Sequence, residues 1–254
     1  MLWSLGEKGK LLELKVSGGF WGRNDKLEVY LDGSFEYQDF RTSSRRGSTI
    51  PSFLLEELKE RLNLLLEKYP EGLKLGAKGG ADYFIYNMSV YRDGRVVTYY
   101  WTDVSEGIPV ELSHLDSLLR SVLGFASGTW KIMLYAKVDK LHASEGETLK
   151  VLVIAVNPGP DDFSYPSPTP CSPDFKVLLR NPNGEVKELF PQGYDPGKPC
   201  IQVIQNRTLK AGGTIRLEYT YSLSEEGVYT VEAYFPYAEW SEVRYAVALK
   251  ISVS

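Results

Sequence analysis

Few side chains in this sequence are able to do acid–base or nucleophilic chemistry. Among 254 residues there are two histidines, His114 and His142, and two cysteines, Cys171 and Cys200. A Ser/His/Asp or Cys/His arrangement must use one of those histidines. His114 falls in a stretch of helical spacing and His142 just after a strand pattern. The sequence holds no GxSxG elbow, no HExxH, no P-loop and no GxGxxG in a strand–helix context. Gly76-Ala77-Lys78-Gly79-Gly80 has the composition of a phosphate loop at the wrong spacing. Asp161-Asp162 and Glu225-Glu226 are the raw material of a glycosidase pair or a calcium site, but both lie in turn-like sequence where carboxylates are usually solvated. No cysteine spacing fits a metal. The reading is a non-enzyme with no catalytic residue, no metal and no cofactor.

What remains is recognition. Ser17-Gly18-Gly19-Phe20-Trp21-Gly22 places two large aromatics on backbone freed by three glycines. Two readings stand: an exposed anchor loop, or a β-bulge whose aromatics turn into the core. The second feature is residues 158–173 (PGPDDFSYPSPTPCSP), with six prolines. Prolines lower the entropy a loop loses on docking, and a stiff spacer is the alternative. Cys171 and Cys200 either bridge the base of this segment or remain two thiols. Arg45-Arg46 sits in a polar stretch, 41–49, read as an exposed loop. Asn87-Met88-Ser89 and Asn206-Arg207-Thr208 fit the glycosylation sequon.

The elements that must hold these features follow from periodicity. Leu12, Leu14 and Val16 alternate with Glu13 and Lys15, and Leu27, Val29 and Leu31 with polar neighbours, as half-buried strands do. Asp32-Gly33 is a hairpin turn leading to Phe35 and Tyr37. Residues 51–69 form a helix with Leu54, Leu58, Leu62, Leu65 and Tyr69 on one face; Pro70 and Gly72 stop it. A second hairpin pairs 83–91 with 96–101 around Asp93-Gly94. A second helix, 109–123, carries Leu112, Leu115, Leu119 and Val122. Residues 124–129 are read as a linker. Beyond them come only strand patterns: 130–138, 149–156, 175–180, 186–190, 201–204, 214–221, 227–235 and 244–253. The fold class expected is an α+β antiparallel sheet with two helices over 1–124, followed by an all-β immunoglobulin-like sandwich over 125–254.

The net charge of −4 implies no broad basic surface, so nucleic acid is not the expected partner. No segment approaches the roughly 20 apolar residues of a membrane span, and Met1–Gly6 holds no signal-like apolar run. The chain therefore reads as cytoplasmic.

The strand running into Ser17-Gly18-Gly19-Phe20, the Leu-rich central helix, and the aromatic hairpin Asp82-Tyr83-Phe84-Ile85-Tyr86 leading through Asp103 to a final leucine helix resemble the emfourin family. These are small inhibitors of thermolysin-like zinc metallopeptidases. The resemblance covers residues 11–123 and departs from the family at Trp21, where a small residue is expected. The second half is similar to the BsuPI-type intracellular proteinase inhibitors over Leu209-Lys210-Ala211-Gly212-Gly213-Thr214, 219–223 and Glu226-Gly227-Val228-Tyr229-Thr230-Val231-Glu232-Ala233. The resemblances imply a proteinaceous peptidase inhibitor that occludes its target with stiff loops. The partner is then a thermolysin-like metallopeptidase, contacted by Ser17, Gly18, Gly19, Phe20 and Trp21, with Phe163, Tyr165 and Cys171 either widening that contact or meeting a second peptidase, of the serine class. Two other classes compete with it. One is a glycan- or small-molecule-binding sandwich, which requires an exposed aromatic row on a sheet face. The other is an interaction protein with no peptidase target.

Overall fold

A computed structural model describes residues 9–80 and 82–254; the stretch Met1–Gly6 lies outside them. The chain divides into two compact units, the first reaching Thr129 and the second comprising Trp130–Ser254 together with Asp116–Ser121.

In the first unit the elements run β1 (Lys10–Gly18), β2 (Arg23–Tyr30), β3 (Ser34–Asp39), β4 (Ser44–Thr49), α1 (Ser52–Lys68), β5 (Leu73–Lys74), β6 (Phe84–Arg92), β7 (Arg95–Thr102) and α2 (Val110–Ser127). They build a seven-stranded sheet of order β4-β3-β2-β1-β6-β7-β5. All its pairings are antiparallel except the short β5–β7 edge. Register puts the alternating apolar residues on one face. Leu14 lies opposite Leu27 and Met88, Val16 opposite Tyr86, and Tyr86 opposite Trp101. All six are buried. Helices close this face: Phe125 of α2 meets Phe35 edge-on, and the Tyr99 hydroxyl donates to the Tyr69 carbonyl just past α1 at 2.9 Å. The other face keeps its charges outside, where Lys26 and Lys10 both pair with Glu28.

Three details differ from the sequence reading. Residues 44–49 are an edge strand, exposed throughout, because pairing with β3 supplies the hydrogen bonds that periodicity does not reveal. The expected linker 124–129 begins inside α2; the helix stops only at Gly128, which takes the left-handed conformation at its C-cap. Tyr69 caps α1 rather than joining its apolar face, whereas Arg61 is buried. Arg61 donates to Glu57 at 2.9 Å and also bonds the His114 carbonyl.

The second unit contains β8 (Met133–Val138), β9 (His142–Ala143), β10 (Thr148–Val156), β11 (Phe163–Ser167), β12 (Lys176–Arg180), β13 (Val186–Leu189), β14 (Gln205–Leu209), β15 (Thr214–Ser222), β16 (Gly227–Phe235) and β17 (Tyr245–Val253). A three-stranded sheet, β15-β10-β8, and a five-stranded sheet, β13-β12-β16-β17-β9, share one core. Leu149, Val151 and Val153 of β10 and Tyr229, Val231 and Ala233 of β16 belong to it. This is a β-sandwich. The expected strand at 201–204 is not formed. Ladder pairing begins at Gln205, where β14 meets β11 in a separate two-stranded sheet, and Ile201, Val203 and Ile204 stand exposed.

Candidate functional site: an aromatic tip at the end of the first sheet

The β1–β2 turn decides between the two readings of Phe20 and Trp21. Ser17 and Gly18 close the ladder, opposite Asn24 and Arg23 on one side and Ile85 and Phe84 on the other. The Gly22 amide then donates to the Gly19 carbonyl at 2.7 Å. A four-residue turn results, with Phe20 and Trp21 at its two central positions. Gly18 has φ +95, and a Cβ there would fall 2.4 Å from the Tyr83 carbonyl oxygen. Gly19 has φ +71, and its Cβ would strike the Phe84 ring at 2.5 Å. Only glycine meets both demands. The backbone thus lies flat against the start of β6 and carries the next two side chains outward. Phe20 is 80% exposed and Trp21 79%. Their rings meet edge-on at 5.3 Å, so each limits the other's rotamers.

The same sheet end gathers other apolar groups, which sequence reasoning did not find. Phe40, in the β3–β4 turn, is 45% exposed, and Val104, just past β7, is 41% exposed. Backbone bonds lace these segments together. The Phe40 amide donates to the Asn24 carbonyl at 3.0 Å, the Gly19 amide to the Tyr83 carbonyl at 2.9 Å, and the Asp103 amide to the Phe84 carbonyl at 3.3 Å. The Asp103 carboxylate accepts from the Phe84 amide at 2.9 Å. Asp39 accepts from the Thr42 hydroxyl and the Arg41 amide, each at 2.8 Å. Those bonds hold its carboxyl below the usual carboxylate range. Arg23 is taken up by Asp25 and lies over the Phe84 ring.

The second expected contact segment is placed differently. Tyr165 is buried, and Phe163 packs against the sandwich core. Phe163 stacks on Tyr165, and both rings meet Phe235. Neither is a free anchor. Alternation along β11 turns both rings inward, where the apolar area they bury favours the core. The Tyr165 hydroxyl donates to Asp174 at 2.6 Å, and Arg207 donates to the same carboxylate oxygen at 2.7 Å. Burial first, and then the Asp174 carboxylate, raise the Tyr165 phenol well above its ordinary value. Arg207 also donates to the Pro170 carbonyl at 3.0 Å, tying the proline tract to β14. Cys171 is exposed and joined to Cys200 in a disulfide, with Cα atoms 6.2 Å apart.

The remaining candidates are absorbed by structure. His114 is buried in α2 and His142 lies in β9, opposite Ser252. Asp162 accepts from Lys210 at 2.7 Å and from the Ala211 amide at 3.0 Å, which lowers its pKa. Glu225 accepts from Asn181 and Asn183. The Gly76 carbonyl accepts from Ser105 at 3.0 Å. Among the described residues no group of three His, Cys, Asp or Glu side chains is placed to hold a metal ion. No helix among them is long and apolar enough to cross a membrane.

No family model matches this sequence, and no curated protein matches it. Among solved structures, the CARDB domain of a Pyrococcus furiosus protein aligns with 48% of this chain and 87% of its own length, at 15% identity and a TM-score of 0.30. A β-glucosidase from Erythrobacter marinus aligns over 48% of this chain at 12% identity and a TM-score of 0.29. This chain covers only 15% of that enzyme. An alkylpurine DNA glycosylase from Pseudomonas fluorescens aligns over 56% of this chain and 36% of its own, at 9% identity and a TM-score of 0.29. Likenesses this weak carry no argument about function, which rests on the geometry of the chain itself.

Proposed function

We propose that this protein is a non-catalytic peptidase inhibitor that docks the β1–β2 tip into its target, with a thermolysin-like metallopeptidase as the first candidate. The observation that carries the reading is the near-full exposure of Phe20 and Trp21 on a backbone fixed by Gly18 and Gly19. Leaving two large aromatic surfaces in water forfeits roughly 1.5–3 kcal/mol each relative to burial. A rigid turn that presents them loses little entropy on docking. Aromatic anchors of this kind dominate interface energetics. The peptidase as target comes from the resemblance of the tip and its supporting hairpin to the emfourin pattern.

The finer fold assignments belong to the same proposal. The first unit is read as an α+β domain. The second is read as immunoglobulin-like, supported by its three- and five-stranded sheets and by the parallel β9–β17 edge. The Cys171–Cys200 bridge supports an oxidising compartment rather than the cytoplasm. A glycan-binding sandwich is the weaker alternative, because the large exposed aromatics among the described residues, Phe20, Trp21, Phe40 and Trp240, all lie in turns or loops.

The test is inhibition of a thermolysin-like and a subtilisin-like peptidase by the full chain. Inhibition lost on Trp21→Ala supports the reading. No inhibition of either enzyme at micromolar concentration removes it.

A further inference from the structure

We infer that the docking surface is not the tip alone but the whole end of the seven-stranded sheet, an apolar ridge of Phe40, Phe20, Trp21 and Val104 shaped for an elongated apolar cleft in the partner protein. The inference rests on the proposed inhibitory reading and adds two residues and a partner chemistry to it.

Strand order places these groups in a line. β3, β2, β1, β6 and β7 are consecutive neighbours. Phe40 follows the end of β3, Phe20 and Trp21 link β1 to β2, and Val104 follows β7. Four strand spacings of about 4.8 Å separate the outer members, a ridge of about 19 Å. The Phe40–Asn24, Gly19–Tyr83 and Asp103–Phe84 backbone bonds join the segments across that distance. The ridge is therefore preorganised along its length, not only at the turn.

Shape and charge select the occupant. A protruding ridge with its two largest rings about four-fifths exposed fits a concave site, whereas a flat partner would touch only the tip. The ridge segments contain Arg23 and Arg41 against Asp25, Asp39, Asp82 and Asp103. Arg23 is already paired with Asp25. Anionic bilayers and nucleic acid need free cations at the contact, and this ridge has an excess of carboxylates. The cleft it fits has apolar floors and neutral or basic walls.

The experiment measures inhibition of thermolysin by the full chain and by Trp21→Ala, Phe40→Ser, Val104→Ser and, as a control on the second unit, Val186→Ser. Val186 is 49% exposed. All four positions are exposed, so melting curves are expected to be unchanged and any loss reports on docking. The expected result is a loss of roughly 30-fold or more for Trp21→Ala and about fivefold or more for Phe40→Ser and for Val104→Ser. Val186→Ser should stay within about twofold. If Trp21→Ala alone weakens inhibition, the ridge is overturned while the tip reading stands. If wild-type chain does not inhibit, both fall. Sedimentation of the free chain and flotation with phosphatidylcholine/phosphatidylserine vesicles complete the test. Self-association or vesicle binding that is abolished by Phe40→Ser, with inhibition untouched, also overturns the assignment of a peptidase cleft.

Discussion

The Tyr83 carbonyl oxygen accepts the Gly19 amide at 2.9 Å and occupies the space into which a side chain on residue 18 would have to project. One backbone atom just before β6 therefore fixes the exit of β1 and the direction of the tip. Gly18→Ala is expected to cost about 1–3 kcal/mol, from the positive φ and the backbone clash together. Denaturant unfolding measures it. Because the tip must move away from Tyr83, the proposed inhibition should fall along with stability.

Phe20→Ala and Trp21→Ala separate the two effects. Both side chains are exposed, so stability should change by no more than about 0.5 kcal/mol. Affinity for the target should fall by about 2–4 kcal/mol at Trp21. Titration calorimetry with the proposed peptidase target, alongside unfolding curves, reads the two quantities independently. Equal losses in both would mean that the rings hold the fold rather than the partner.

The contrast between tip and proline tract explains what the sequence makes legible. Alternation exposes β16 and β17 to a reader, and 3.6-residue spacing exposes α1, because each buries one face. Ser44–Thr49 has no apolar residue and is a strand only because β3 offers it a ladder. Ile201–Ile204 reads as a strand but pairs with nothing described, while the polar run Gln205–Leu209 beside it does. The orientation of Phe20 and Trp21 is open in the sequence, since alternation stops at Ser17 and the deciding contact comes from Tyr83, 64 positions from Gly19 in the chain. Tyr165 was hidden for the opposite reason: its proline neighbours look like loop, yet it fills the sandwich core. Phe40 and Val104 give no local signal at all, because only strand order makes them neighbours of the tip.

Asp174 joins Tyr165 to Arg207, and its loss should be felt in the fold alone. Asp174→Ala removes the acceptor of two side-chain bonds, at 2.6 Å and 2.7 Å. It leaves a half-buried guanidinium without its carboxylate partner. A destabilisation of about 1–3 kcal/mol is expected, read by thermal unfolding, with inhibition unchanged.

Reduction of Cys171–Cys200 should act on the unfolded chain. The bridge closes a loop across a sequence separation of 29, and the loop-entropy relation gives about 3.5 kcal/mol for such a closure. Unfolding with and without a thiol reductant, and in the Cys171→Ser, Cys200→Ser double variant, should agree. Because Phe163 and Tyr165 are held by the core and by Asp174, the reduced protein is expected to retain inhibition where it remains folded. Loss of inhibition without loss of folding would return the proline tract to the contact surface.

Alkaline pH should unfold the protein through its buried phenols. Burial pushes Tyr37 up to about 12, with Asp25 beside it adding to the effect, and pushes Tyr99 up to about 12. Tyr165 and Tyr219 are raised by the same cause. A phenol with an unfolded value near 10 and a higher folded value binds its proton more tightly when folded. The corresponding stability is fully present below pH of about 10 and is lost as the pH climbs from there through about 12. Phenolate absorbance should show these buried tyrosines ionising only as the fold opens. Tyr37→Phe should flatten the decline, because it removes one of the phenols whose ionisation drives unfolding. A single titration step near 10 with the fold intact would mean that these phenols reach solvent and that the first sheet is not sealed by its helices.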